Sequence, residues 1–169
     1  MGRWNIRWSV LLVLWCVTGV KLAAMKVESL DRGWFFNRGY ESQSADKVTV
    51  DLPHTWNAAD AMFGNVNYYR GMSTYSRFIV VPSSENFKRV FLRIKAAQTV
   101  ADVYLDNHFV AQHKGGYTSF TIELTPFIRR GEKQKLDIRV SNAQTMEIAP
   151  ICGDFNIWGG LNRGVELLF

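Results

Sequence analysis

Apolar residues recur at every second position in one short segment after another, and this constrains the chain more tightly than anything else in it. Val90, Leu92, Ile94 and Ala96 face one way while Phe91, Arg93 and Lys95 face the other. Leu136, Ile138 and Val140 alternate with Asp137 and Arg139, and Val48, Val50 and Leu52 alternate with Thr49 and Asp51. Phe120, Ile122 and Leu124 form another such set. A side-chain period of two belongs to strands, whose successive residues point to opposite faces. Residues 75–81 have the same extended pattern, and Trp34-Phe35-Phe36 is expected as a strand covering the body. No window sustains the 3.6-residue period of a helix.

Turn chemistry separates these segments. Pro53-His54-Thr55-Trp56-Asn57, Pro82-Ser83-Ser84, Pro126 and Arg130-Gly131-Glu132 each end a run, and Asp106-Asn107 suits the positive φ of a tight hairpin. Short strands divided by turns every 8–12 residues define an all-β fold. The expected architecture is a jelly-roll-type antiparallel β-sandwich, without internal repeats or low-complexity stretches.

The first 24 residues follow another logic. Arg3 and Arg7 precede an almost wholly apolar run over 8–20, and the small residues Gly19, Ala23 and Ala24 follow. That is the layout of a cleaved secretory signal, with an uncleaved anchor as the alternative. The run falls short of the roughly 20 apolar residues that span a bilayer, so no stable membrane span is expected. The organisation read from sequence is therefore a signal at 1–24 and one domain at 25–169, in a periplasmic or extracellular protein. The signal carries Arg3, Arg7 and Lys21 and no acid, so its loss takes the formal charge from +5 to +2. No basic stripe remains to support a nucleic-acid partner. Cys152 would be the one cysteine left, which rules out an intrachain disulfide in the processed chain.

The familiar catalytic motifs are missing: no cysteine pair for zinc, no His-Glu-x-x-His, no phosphate-binding Gly-x-x-x-x-Gly-Lys and no Gly-x-Ser-x-Gly. His108 and His113 are five apart on an expected strand, which sets them on opposite faces and makes them poor joint ligands. His54 sits in a turn. No acid is marked as one of a glycosidase pair, which needs two carboxyls a fixed distance apart. No catalytic residue, metal or cofactor is expected.

Two loops have a composition suited to sugars, which present hydroxyls and flat C–H faces. One is Phe63-Gly64-Asn65-Val66-Asn67-Tyr68-Tyr69-Arg70-Gly71; the other surrounds Asp154 in Gly153-Asp154-Phe155-Asn156-Ile157-Trp158-Gly159-Gly160. By composition alone, the reading of these residues as turn formers and core aromatics is the favoured one.

Five segments in order resemble one family. They are Leu52-Pro53-His54-Thr55-Trp56-Asn57, then Asn67-Tyr68-Tyr69-Arg70-Gly71, then the 103–110 hairpin with His113-Lys114-Gly115-Gly116-Tyr117. Leu124-Thr125-Pro126-Phe127-Ile128 and the stretch from Gly153-Asp154 to Gly160-Leu161-Asn162-Arg163 complete the set. Over roughly 30–169 the chain resembles the N-terminal sugar-binding domain of glycoside hydrolase family 2, a galactose-binding-like sandwich found in β-galactosidases, β-glucuronidases and β-mannosidases.

The resemblance implies a domain that abuts an immunoglobulin-like domain and a (β/α)8 barrel carrying two catalytic glutamates, a retaining mechanism, and a β-glycoside as carbohydrate partner. It implies that Asp154 contacts sugar, with Asn67 and Asn65 as further candidates. It implies scaffold roles for Trp56, Tyr69, Gly115 and Gly116. The chain departs from the family pattern at Thr74, Asn162 and Gly164, where Trp, an aromatic and Asp are more usual. Three readings follow: the non-catalytic part of an exported family 2 β-glycosidase, inactive alone; a stand-alone exported carbohydrate-binding module; or a structural β-sandwich.

Overall fold

The computed structural model describes residues 25–39, 48–60, 68–84, 88–148 and 157–169. The export segment 1–24, Cys152 and the candidate residues Asn65, Asn67 and Asp154 lie outside the described residues.

The alternating segments form strands that pair antiparallel throughout. In chain order these are β1 (Val27–Ser29), β2 (Trp34–Arg38), β3 (Val48–Val50), β4 (His54–Thr55), β5 (Met72–Val80) and β6 (Phe91–Ile94). Then come β7 (Val100–Leu105), β8 (His108–Lys114), β9 (Phe120–Glu123), β10 (Lys133–Ser141), β11 (Gly160–Leu161) and β12 (Val165–Leu168). One sheet has the order β3-β2-β5-β10-β7-β8 and the other β1-β12-β6-β9; β4 and β11 form a short separate ladder.

The core lies between the two large sheets. Val90, Leu92 and Ile94 from one, and Ala101, Val103, Leu105, Leu136, Ile138 and Val140 from the other, are buried in one cluster. Val90, Leu92 and Ile94, and Leu136, Ile138 and Val140, are the sets that the period of two assigned to one face. Asp106 and Asn107 take φ of 47° and 66° in the β7–β8 hairpin. That is the conformation for which Asp-Asn was singled out. The last strand, β12, is flanked by β1 and β6, and backbone bonds between Lys26 and Phe169 extend its pairing.

Three expectations need correction. The Trp34-Phe35-Phe36 strand is no cover: β2 lies inside the six-stranded sheet, and Trp34 is wholly buried with its indole N–H donating to the Leu30 carbonyl at 2.6 Å. Asp137 does not face solvent. Strand β10 is central, and Asp137 is covered there, accepting from the Ser76 hydroxyl at 2.5 Å and paired with Lys135 at 2.9 Å. His108 and His113 do not point to opposite faces. A β-bulge shifts the β7–β8 register, so that Phe109 pairs with Tyr104 but Ala111 with Val103. Its extra residue reverses the parity of the strand. His113 opposite Ala101 and His108 opposite Leu105 therefore share a face. They stay roughly 13 Å apart along the sheet, at about 3.3 Å per residue, so they remain unsuited to a common ion. Among the described residues no cluster of metal-ligating side chains occurs.

Candidate functional site

One end of the sandwich gathers segments that are far apart in sequence. Gln98 donates its backbone N–H to the Gly160 carbonyl at 2.9 Å, and Gly115 donates to the Thr99 carbonyl at 2.8 Å. Strand β11 pairs with β4, placing Gly160 opposite Thr55 and Leu161 opposite His54. Glycine is obligatory at two of these crossings. A Cβ on Gly159 would lie 2.0 Å from the Trp56 ring, and one on Gly160, whose φ is +141°, would lie 2.3 Å from the His54 carbonyl oxygen.

Between these segments opens a cleft of about 400 Å³. Pro53, His54 and Thr55 form one side, Trp158 and Asn162 another, and Gln98 and Tyr117 complete it. Tyr117 is 75% and Trp158 38% exposed, so two aromatic rings stand at its rim. Small-ligand sites combine apolar walls with a few fixed polar groups, and this cleft has that make-up.

The polar lining is held from behind. The Nδ1 of His54 lies 2.7 Å from the Tyr75 hydroxyl. Tyr75 is fully buried and also accepts from the Leu161 amide, and burial pushes its phenol strongly up. The hydroxyl thus keeps its proton, and its bond to Nδ1 fixes the orientation of the His54 ring. Burial lowers the His54 pKa, so the ring is neutral at pH 7.

Beneath the cleft lies a buried amide network. Asn57 and Asn142 are both fully buried. Asn142 Nδ2 donates to Asn57 Oδ1 at 3.1 Å, to the Tyr69 carbonyl at 3.1 Å and to the Ile157 carbonyl at 3.0 Å, and its Oδ1 accepts from the Gly71 amide at 2.9 Å. Asn57 Oδ1 also accepts from the Gly159 amide at 2.8 Å, and its Nδ2 donates to Asp60 Oδ2 at 2.6 Å and the Tyr69 carbonyl at 3.0 Å. Asp60 in turn accepts from the Tyr69 amide at 3.1 Å. Buried polar groups require such partners, and two amides supply both donors and acceptors. Trp56 stacks on Phe36 and meets Tyr69 edge-on, consistent with the packing roles expected of Trp56 and Tyr69.

The three sugar-contact candidates are not among the described residues, but the residues beside them are anchored in this network. Asp60 and Tyr69 flank the segment of Asn65 and Asn67, while Asn142 and Ile157 lie either side of the segment of Asp154. Sequence reading missed Asn142, Asp60 and Gln98 altogether, and took Asn57 only as the last letter of a motif. An isolated Asn after a strand carries no local signal, and Asn57 and Asn142 meet across 85 residues of sequence.

An antiparallel β-sandwich with a cleft rimmed by aromatic rings and lined in part by amides defines a class of small-ligand-binding domain. Comparison with known proteins specifies it. Residues 27–169 match the family described as "Glycosyl hydrolases family 2, sugar binding domain", and the chain belongs to that family. It is 38% identical over 139 residues to a β-glucuronidase of Bacteroides fragilis, covering 82% of this chain and 20% of that protein. It is 31% identical over 131 residues to a β-galactosidase of Thermoanaerobacter pseudethanolicus, covering 76% and 18%. Among solved structures, β-glucuronidase 2 of Bacteroides uniformis, covalently bound to cyclophellitol-6-carboxylate aziridine, superimposes with a TM-score of 0.75 at 33% identity, over 86% of this chain and 18% of that one. The chain thus spans about a fifth of the length of the curated relatives it matches.

Proposed function

We propose that this chain is the non-catalytic sugar-contacting domain of an exported family 2 β-glycosidase, working beside an immunoglobulin-like domain and a catalytic barrel. The observation that carries the reading is the cleft framed by Trp158 and Tyr117, with amide and imidazole groups in its lining. Aromatic faces suit sugar C–H bonds, and fixed polar groups suit hydroxyls. Asp154 precedes the cleft residue Trp158 by four positions in the sequence. Its role is to accept a sugar hydroxyl as a charged acceptor, with Asn67 and Asn65 adding neutral contacts. Export follows from the basic, apolar and small-residue order of 1–24.

The test is a graft. Residues 25–169 replace the aligned part of the Bacteroides fragilis β-glucuronidase, and kcat/KM is measured with and without Asp154→Ala. Loss of a charge-assisted hydrogen bond costs about 1.5–3 kcal/mol, or roughly 10- to 150-fold in kcat/KM. An active graft in which Asp154→Ala changes nothing removes Asp154 from the site.

A further inference from the structure

The two peptide groups that flank Trp158 are held by three different asparagines. The Ile157 carbonyl accepts from Asn142 at 3.0 Å, the Trp158 carbonyl from Asn162 at 2.9 Å, and the Gly159 amide donates to Asn57 at 2.8 Å. The Gly159 carbonyl is fixed as well, by the Thr55 hydroxyl at 2.8 Å and the Trp56 amide at 3.2 Å. Both peptide bonds of Trp158 are therefore anchored to groups on other parts of the chain. Its ring, by contrast, does not join the buried cluster and is 38% exposed at the cleft rim. Burying two amides to immobilise the backbone under a solvent-facing indole has no use in core packing. It has one in recognition, because a preorganised aromatic surface loses little conformational freedom on binding.

We propose that Trp158 is a carbohydrate-stacking platform, positioned by Asn57, Asn142 and Asn162, that receives the C–H face of a pyranoside in this cleft. The proposal rests on the sugar-contacting reading above but does not depend on Asp154. Asn162 stands where the family more often has an aromatic residue. An aromatic side chain there offers no amide to the Trp158 carbonyl, so the anchor depends on Asn162 itself. Trp158 is the platform and a direct contact; the three asparagines are positioning residues.

The test uses the full chain, with methyl β-D-glucuronide and methyl β-D-galactoside as probes. Binding is followed by NMR to about 20 mM sugar, a range that detects a few kcal/mol of contact, on the Trp158 indole N–H, assigned by its absence in Trp158→Tyr, and on the backbone amides of Gly159, Gly160 and Leu161, which every variant retains. The expected result is a saturable shift with at least one probe. Trp158→Ala should weaken binding about 3- to 10-fold, the range of an aromatic contact, and Trp158→Tyr should stay within about 2-fold of the parent. Asn162→Leu should also weaken binding and speed hydrogen exchange at Gly159, with exchange at Ile138 and Val140 unchanged. That pattern separates positioning from loss of the fold. A chain that binds equally well with and without the Trp158 ring, or shows no saturable shift with either sugar, overturns the platform. Retained Trp158 dependence with full affinity in Asp154→Ala overturns the Asp154 role alone.

Discussion

Gly159 shows how one residue sets the site. A methyl group there would occupy the Trp56 ring, and the amide of the same residue is bonded to Asn57. Gly159→Ala should therefore destabilise the fold by about 1–3 kcal/mol, the cost of overpacking, measured by urea denaturation. Gly164 makes a related point. Its Cβ would lie 2.7 Å from Asp31 Oδ1, and that same oxygen accepts the Val165 amide at 2.8 Å. Asp31 already places a carboxylate in this space, so Gly164→Asp would set two like charges together. His54 offers a pH readout at the same scale. Burial favours its neutral form, so its contribution to stability is present above the ordinary histidine range and declines as pH falls below about 6.5. An NMR titration placing its pKa above 6.5 would contradict this.

At the scale of elements, the two sheets were legible because alternation reports directly on which face is buried. Val90, Leu92, Ile94 and the β10 residues were assigned correctly for that reason. What alternation cannot report is neighbours. Asp137 reads as solvent-facing, yet β5 and β7 flank β10 and cover it. The β8 bulge was equally hidden, since one extra residue leaves no mark in a run of mixed polarity. Across β12 and β6, Glu166 forms ion pairs with Arg93 and Lys95 while almost fully buried. Hydrogen bonds from Lys95 and Arg93 hold its carboxyl below the usual range. A carboxyl depressed by folding contributes stability that is complete above its unfolded pKa and is lost as pH falls through the folded one. Stability should thus decline below about pH 4.3, and Glu166→Gln should flatten that acid limb. At neutral pH the variant should lose about 1–2 kcal/mol, since both cations retain partial access to water. Chemical denaturation at pH 7 and pH 3.5 measures both effects.

Across the whole molecule, the family segments that carry His54, Tyr117 and Trp158 meet at one end of the sandwich, and the order of the five segments made the family legible before the cleft was visible. Pro53-His54-Thr55, Tyr117 and Trp158 line it together although more than 100 residues separate the first from the last. The cleft itself was not legible, because Gln98 enters it from a segment with no motif and Asn142 supports it from below. This arrangement also bears on catalysis. Glycoside hydrolysis with retention needs two carboxyls about 5–5.5 Å apart, one free to attack and one to carry a proton. Among the described residues, no Asp or Glu lines the cleft. The buried acids are committed elsewhere: Asp60 to Asn57 and Tyr69, Asp137 to Ser76 and Lys135, Glu166 to Arg93 and Lys95. None of these carboxylates opens on the cleft. Purified chain should therefore release no chromophore from p-nitrophenyl β-D-glucuronide or β-D-galactoside above the buffer rate. Turnover that co-purifies with the chain and survives Asp154→Ala would place catalysis on this domain and overturn its assignment as a non-catalytic wall.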